Sequence, residues 1–208
     1  MNGASYVIDD SARNVDADIW FALPPGFIPL PLQKLTRVER EPAEAAEALA
    51  GLGPVLRLAR LFLAAGTVHC CLGLHADDDG DGRPLLSLFT VAWRDTEWAP
   101  RSVLAARAAV GTESAEHIEL LDLPCGPAAL VQTQLTAPPE LNLGAPGELL
   151  QATAYVPCPD GRRVGILSLA TASVTRARHY RALLKDIVGT VSFENPIPDV
   201  TDDVPDKD

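Results

Sequence analysis

Residues 147–194, GELLQATAYVPCPDGRRVGILSLATASVTRARHYRALLKDIVGTVSFE, decide the fold. Two apolar runs flank the turn-forming residues Pro159, Asp160 and Gly161, an arrangement typical of a β-hairpin. Beyond the second run, the apolar residues repeat about every 3.6 positions, which indicates an amphipathic helix. The stretch therefore predicts, in chain order, a strand, a tight turn, a strand, a helix and a short final strand.

The helix, predicted over residues 174–188, carries an apolar stripe. The residues that we expect to face the sheet are Ala177, Tyr180, Leu184, Ile187 and Val188. A helix that buries one such stripe against a sheet closes one face of a domain. We therefore expect the two strands to lie near the middle of the sheet, with this helix packed over them.

The same helix carries cations on another side. Arg178, Arg181 and Lys185 stand at positions i, i+3 and i+7, and Arg162 and Arg163 join them from the hairpin turn. These five residues are a candidate docking surface for an acidic protein partner or for the acidic tail of the chain itself. The alternative interpretation is an ordinary solvated helix face, because exposed ion pairs contribute only about 0–1 kcal/mol each.

The same two patterns, strand-like apolar runs bounded by turn residues and the helical repeat of about 3.6 positions, predict the remaining elements. Strands are expected over residues 18–23, 67–75, 84–93, 119–123 and 128–135. Helices are expected over residues 39–65, with a break at 51–54, and over residues 100–110. The proline-rich residues 23–32 are expected to form a rigid extended crossing that joins neither a helix nor a ladder. The resulting class is α+β.

The negative charge is concentrated at the two ends of the chain. The 208 residues carry a net charge of −11. Residues 1–18 contain four Asp and one Arg, and residues 194–208 contain six acidic residues and one Lys. We therefore predict an acidic N-terminal segment over 1–18, a single domain over 19–193 and an acidic tail over 194–208. Nucleic acid is not expected as a partner, because binding it depends on neutralising phosphates.

The sequence also predicts where the protein resides. The first residues have no basic and apolar signal pattern, and no apolar run reaches the ~18 residues that span a bilayer. A cytoplasmic location is therefore expected, without a membrane span. The abundance of Ala, Arg, Asp and Pro suggests a bacterial source.

Few residues suggest chemistry. The cysteines, Cys70, Cys71, Cys125 and Cys158, have no CxxC spacing and are interpreted as buried thiols. Common catalytic motifs such as GxSxG and HExxH do not occur. We expect no catalytic residue, no metal ligand and no cofactor.

The loop over residues 77–82 resembles part of a calcium loop. Asp77, Asp79, Asp81 and Gly82 match its positions 1, 3, 5 and 6, but Leu88 stands at position 12, where a bidentate carboxylate is needed. The alternative interpretation is a solvated hairpin tip, because Asp and Gly are common turn formers. Weak cation binding by this loop is left open.

The order of elements resembles the Mog1/PsbP-like fold, and more narrowly the actinobacterial members of that group. The motifs that carry the resemblance are WFALPPGF at 20–27, the hairpin at 67–93, and the ending YVPCPDGRRVGILSLATAS…HYRALLKDIVGTVSF at 155–193. It covers residues 19–193. The resemblance implies a central antiparallel sheet of about six strands with helices on both faces, an α/β/α sandwich.

The resemblance also implies a class of function. The founding members of this fold are accessory proteins rather than enzymes: one binds a nuclear small GTPase and the other supports a photosynthetic oxygen-evolving complex. Mycobacterial lipoprotein relatives have a signal peptide and a lipidated cysteine that find no match here, so their envelope role does not carry over. No binding residue of the family matches a position of this sequence, so none is transferred.

Three functional hypotheses follow. The first is a non-catalytic cytosolic binding or accessory module that acts through protein contacts; a narrower version links it to a secretion or envelope machine. The second is a small-molecule-binding protein or an enzyme, whose pocket would be lined by His69, His75, Trp93 and Trp98. The third is a structural homodimer, built through the sheet edge or the helix faces.

Overall fold

A computed structural model of the protein describes residues 18–30, 66–75, 85–136 and 148–196. Their strands are β1 (Phe27–Pro29), β2 (Thr67–His75), β3 (Leu85–Asp95), β4 (Ala115–Leu123), β5 (Gly126–Thr136), β6 (Glu148–Pro157) and β7 (Arg163–Thr171). Their helices are α1 (Arg101–Val110) and α2 (Ala177–Gly189), and a 3₁₀ turn over Val174–Arg176 precedes α2.

The seven strands form one antiparallel sheet in the order β1-β2-β3-β7-β6-β5-β4. Hairpins join β2 to β3, β4 to β5 and β6 to β7, and β3 meets β7 across the middle of the sheet. The mixed α+β class is confirmed, as is the central place of the hairpin within residues 147–194. The sheet has seven strands rather than about six, and the described residues contain few helices.

A tight turn closes the central hairpin as the Pro-Asp-Gly sequence predicts. Gly161 has a φ of +64°, in the left-handed region, and its amide donates to the Cys158 carbonyl at 3.1 Å. Asp160 Oδ1 accepts the Arg162 amide at 2.8 Å, a local bond that Asp often makes in turns. A Cβ at position 161 would lie 2.8 Å from the Ala99 carbonyl oxygen, so the close approach of that loop also requires glycine.

The helix α2 covers one face of the sheet, which we call the α2 face. Tyr180, Leu184, Ile187 and Val188 are fully buried there, as the stripe in the sequence predicts, and Ala177 is half-buried. They pack against the alternate strand residues Phe89, Val91, Leu130, Leu150, Ala152, Ala154, Val156, Leu167 and Leu169. Because the side chains alternate along each strand, this single core links β3, β5, β6 and β7.

The helix α1 covers part of the opposite face, which we call the α1 face. Leu104, Ala105 and Ala109 are buried against Ala129 and Val131 of β5, with Tyr155 and Val164 completing the cluster. The small alanine side chains let the helix lie close to the sheet. The Val103 side chain is 38% exposed on the outer side of α1.

The N-terminal part of the domain differs from the prediction. Residues 18–23 form no strand, and only Trp20 makes an isolated bridge, to Ser192 near the end of the domain. The strand lies instead at Phe27–Pro29, inside the proline-rich segment, where Phe27 pairs with Gly73 and Pro29 with Cys71. A proline is tolerated there because β1 is an edge strand and Pro29 ends it.

Several predictions lie outside the described residues: the helices over 39–65, the loop over 77–82, residues 1–17 of the N-terminal segment and residues 197–208 of the tail. Across the part of the chain that is described, no helix is long and apolar enough to cross a membrane.

Candidate functional site

The five cations predicted as a docking surface are divided between the start of β7 and the helix α2. Arg162 and Arg163 lie at the start of β7, whereas Arg178 lies in the first turn of α2, just beyond the end of β7. The strand spans 9 residues, and at about 3.3 Å per residue its two ends lie roughly 26 Å apart. Arg178 is therefore far from the hairpin pair, whereas Arg181 and Lys185 lie further along α2, beside Gln132 and Glu119.

The hairpin cation Arg163 is bound within the domain. Its guanidinium donates to both carboxylate oxygens of Asp18, at 3.0 and 3.3 Å. It also lies 5.1 Å from the centre of the Trp93 ring and 3.7 Å from the Asp160 carboxylate. The hydrogen bond to Asp18 raises the pKa of Arg163. This side chain therefore ties the start of the domain to the central hairpin.

Two of the helix cations contact neighbouring strands. The Lys185 ammonium donates to Glu119 Oε1 of β4 at 2.5 Å. Arg181 donates to the side-chain carbonyl of Gln132, whose amide nitrogen in turn donates to Glu116 at 2.9 Å. The Lys185–Glu119 pair is substantially exposed, so it contributes only about 0–1 kcal/mol, whereas the Gln132 side chain that Arg181 contacts is buried. Three of the five predicted docking residues are thus engaged inside the chain, and Arg162 and Arg178 are exposed.

The surface that the sequence did not reveal is the outer edge of β4. This strand is the last of the described sheet, next to β5 alone. Ile118 and Leu120 are paired with Val131 and Ala129, which lie under α1, so both point to the α1 face. They are nevertheless 48% and 66% exposed, because α1 lies mainly over β5 and β6. Two neighbouring apolar side chains thus stand on an exposed sheet edge.

The sequence contained a signal for this edge. Ile118, Leu120 and Asp122 alternate with His117, Glu119 and Leu121, which is the period of a strand. The predicted strand began only at Glu119, whereas β4 begins at Ala115. Because that start omitted Ile118, the exposed apolar pair was not recognised.

The four residues proposed to line a ligand pocket lie in different surroundings. The His69 ring packs against Phe21 and Phe89, with ring centres 5.3 and 6.4 Å apart. His75 lies six positions further along β2, roughly 20 Å away. Trp93 packs under Arg163, and Trp98 is 64% exposed beside the hairpin turn at Gly161.

Two polar side chains, those of His75 and Ser87, come together on the neighbouring strands β2 and β3. Gly73 of β2 pairs with Ser87 of β3, and a Cβ on Gly73 would collide with Ser87 Oγ and lie 3.0 Å from His75 Nε2. Both polar atoms are buried, and neither has a hydrogen-bond partner among the residues that the structure describes. The Phe27 ring closes one side, with its centre 5.0 Å from that of His75. The absence of a side chain at Gly73 thus leaves room for two polar atoms.

We expect the pKa of His75 in the folded protein to lie below its usual value of 6.5, because burial disfavours the imidazolium, and the nearby His179 lowers the pKa further. As pH falls below the usual pKa, the unfolded chain takes up a proton before the folded one does, so the free energy of unfolding decreases. An NMR titration of the imidazole signals measures the midpoint. In His179→Gln the midpoint should move upward, whereas a wild-type midpoint at or above 6.5 would contradict the burial of this ring.

The cysteines lie as the sequence predicts, as buried or half-buried free thiols. Cys71 points to the α2 face, beside Phe89, with its sulfur 3.1 Å from His69 Nε2. Burial raises the pKa of Cys70 and of Cys158 to about 11, so neither is a thiolate at neutral pH. Within residues 18–30, 66–75, 85–136 and 148–196, no group of three or more His, Cys, Asp or Glu side chains could hold a metal ion.

Comparison with known proteins shows no family. No protein-family model matches the chain, and no curated protein matches it significantly. The resemblance to the Mog1/PsbP-like fold therefore stays a prediction from the sequence.

Proposed function

We propose that this protein is a non-catalytic binding module that docks a protein partner along the edge of β4. The observation that carries the proposal is the pair of exposed apolar side chains, Ile118 and Leu120, on a sheet edge. An edge strand offers backbone amides and carbonyls to an added strand, and neighbouring apolar side chains give that strand surface to bury.

The accessory role is supported by the Mog1/PsbP-like resemblance, whose founding members act through protein contacts. The scarcity of catalytic motifs in the sequence points the same way. The bacterial cytoplasm is the location that belongs to this proposal. A link to a secretion or envelope machine is the narrowest form of the proposal, and it depends on the resemblance alone.

Site-specific crosslinking in the producing cells tests this function. A photoreactive amino acid replaces Leu120 in one variant and Val110, which is 83% exposed on the outer side of α1, in a matched control. We expect a discrete protein adduct from position 120 that is lost when Ile118→Lys is added, and none from position 110. Equal adducts from both positions, or none from either, would contradict docking at β4.

Small-molecule binding is a second candidate function, and it is favoured by the buried atoms of His75 and Ser87 that have no partner within the described part of the chain. A bound polar molecule would supply the hydrogen bonds that these atoms lack. The small-molecule fraction of a cell extract should then shift the imidazole NMR signals of His75 in the wild type but not in Ser87→Ala. Unchanged signals in the wild type would argue against this function.

A further inference from the structure

We infer that the partner of the β4 edge is an extended, basic segment of another protein rather than a second copy of this chain. The inference rests on the proposed function, because it concerns the same edge. Its starting point is the charge of β4 and its flanks: Glu113, Glu116, Glu119 and Asp122 are acidic, and residues 113–125 contain no Lys or Arg. The residues of this edge are therefore both apolar and acidic, and one of the carboxylates, that of Glu119, is paired with Lys185 of α2.

The side chains of β4 form two rows, one on each face of the sheet. Ile118, Leu120 and Asp122 follow one another on the α1 face, whereas His117, Glu119 and Leu121 point to the α2 face. An added strand continues both faces, since side chains directly opposite each other in paired strands point to the same side. The side chains of the added strand must therefore be apolar opposite Ile118 and Leu120 on the α1 face. They must also complement a carboxylate on each face, that of Asp122 on the α1 face and that of Glu119 on the α2 face.

A second copy fits this edge poorly in the register that sets the two apolar side chains against each other. In a symmetric antiparallel pairing, the register that sets Ile118 against Leu120 of the copy also sets Glu119 against Glu119. Like charges directly opposite each other in paired strands destabilise the pair. Each Glu119 is paired with Lys185 of its own chain at 2.5 Å, which reduces this repulsion without joining the two copies. In this register the acidic side chains of β4 therefore disfavour self-association, as charged residues on exposed edges commonly do.

A basic strand fits the same edge well. Lys or Arg opposite Glu119 and Asp122, with apolar residues opposite Ile118 and Leu120, would satisfy both rows together. An antiparallel partner, read from its N-terminus, would place a basic residue opposite Asp122, any residue opposite the next position and an apolar residue opposite Leu120. A basic residue opposite Glu119 and an apolar residue opposite Ile118 would follow. Charge complementarity of this kind selects the partner and speeds its association, and salt weakens it.

The test uses the whole protein and two synthetic peptides of equal length, one containing Lys-Thr-Val-Lys-Val and the other Glu-Thr-Val-Glu-Val. Backbone NMR of the wild type should show shifts at residues 116–122 with the basic peptide, reduced by added salt, and none with the acidic one. Asp122→Asn should weaken binding about threefold to tenfold, because it removes one exposed carboxylate from the edge. Leu120→Lys should abolish the shifts, whereas the control Val110→Lys should leave them unchanged.

Other outcomes separate this inference from the proposed function. Equal shifts with both peptides, or no shift with the basic one, would overturn the basic partner class. If position 120 nevertheless crosslinks to another protein, docking at β4 stands. Light scattering should find a monomer at the concentrations used for NMR. A dimer that Leu120→Lys dissociates would overturn the inference and assign the edge to a second copy. Unchanged urea midpoints in all three variants would exclude misfolding as the cause.

Discussion

We expect Phe89→Ala to lower the free energy of unfolding by about 3–5 kcal/mol. Phe89 lies in the middle of β3 with no exposed surface. Its ring centre lies 5.5 Å from that of Phe21 and 6.0 Å from that of Phe27, two residues that reach the sheet from the N-terminal segment. Truncation would leave a cavity and also remove the aromatic contacts that hold this segment on the α2 face.

Urea denaturation monitored by circular dichroism measures this loss. The control is Leu120→Ala on β4, where the side chain is 66% exposed and the change should stay within about 0.5 kcal/mol. If Phe89→Ala costs no more than this control, Phe21 and Phe27 do not pack over β3. Comparison of the two slopes against urea shows whether both variants unfold in the same two-state transition.

The central part of the fold could be predicted from local pattern. The hairpin β6–β7 follows from two runs of strand-like sequence around Pro159, Asp160 and Gly161, and α2 follows from its stripe of apolar residues. The strands β6 and β7 and the helix α2 are close in sequence, and the spacing of apolar residues differs clearly between the strands and the helix. The buried side of α2 could be identified in advance because only one face of that helix is apolar.

The N-terminal part could not be predicted in this way, because its partners are distant in the chain. The backbone bridge between Trp20 and Ser192 joins the two ends of the domain, and no local pattern specifies it. The strand Phe27–Pro29 is short and lies among prolines, so its composition argued against a ladder. Its pairing with β2 depends on the exposed edge that β2 offers, a property of the assembled sheet.

The candidate site shows the same limit. Helical spacing placed Arg181 and Lys185 correctly on one side of α2, but it could not show that Gln132 and Glu119 lie beside them. The apolar edge of β4 was missed for a related reason. Which strand lies at the edge of a sheet follows from strand order, and strand order is not encoded in the alternation of any single strand.

The second large effect is expected for Leu184→Ala, which should lower the free energy of unfolding by about 2–5 kcal/mol. Leu184 is fully buried at the centre of the α2 stripe, between Tyr180 and Ile187 along the helix. The core around it contains side chains of β5, β6 and β7, so the cavity cannot be filled by a shift of one strand alone. The large predicted loss follows from that rigidity, since less relaxation leaves a larger cavity.

The matched control is Leu183→Ala, one position earlier on α2. Leu183 is only partly buried at the margin of the same core, so the same truncation there should cost clearly less. The intrinsic helix preference changes equally in both variants, and the difference between them therefore measures burial alone. Equal losses would mean that α2 is not docked through the stripe of Tyr180, Leu184 and Ile187. A large excess for Leu184→Ala, with an unchanged slope against urea, would establish that this helix closes the α2 face.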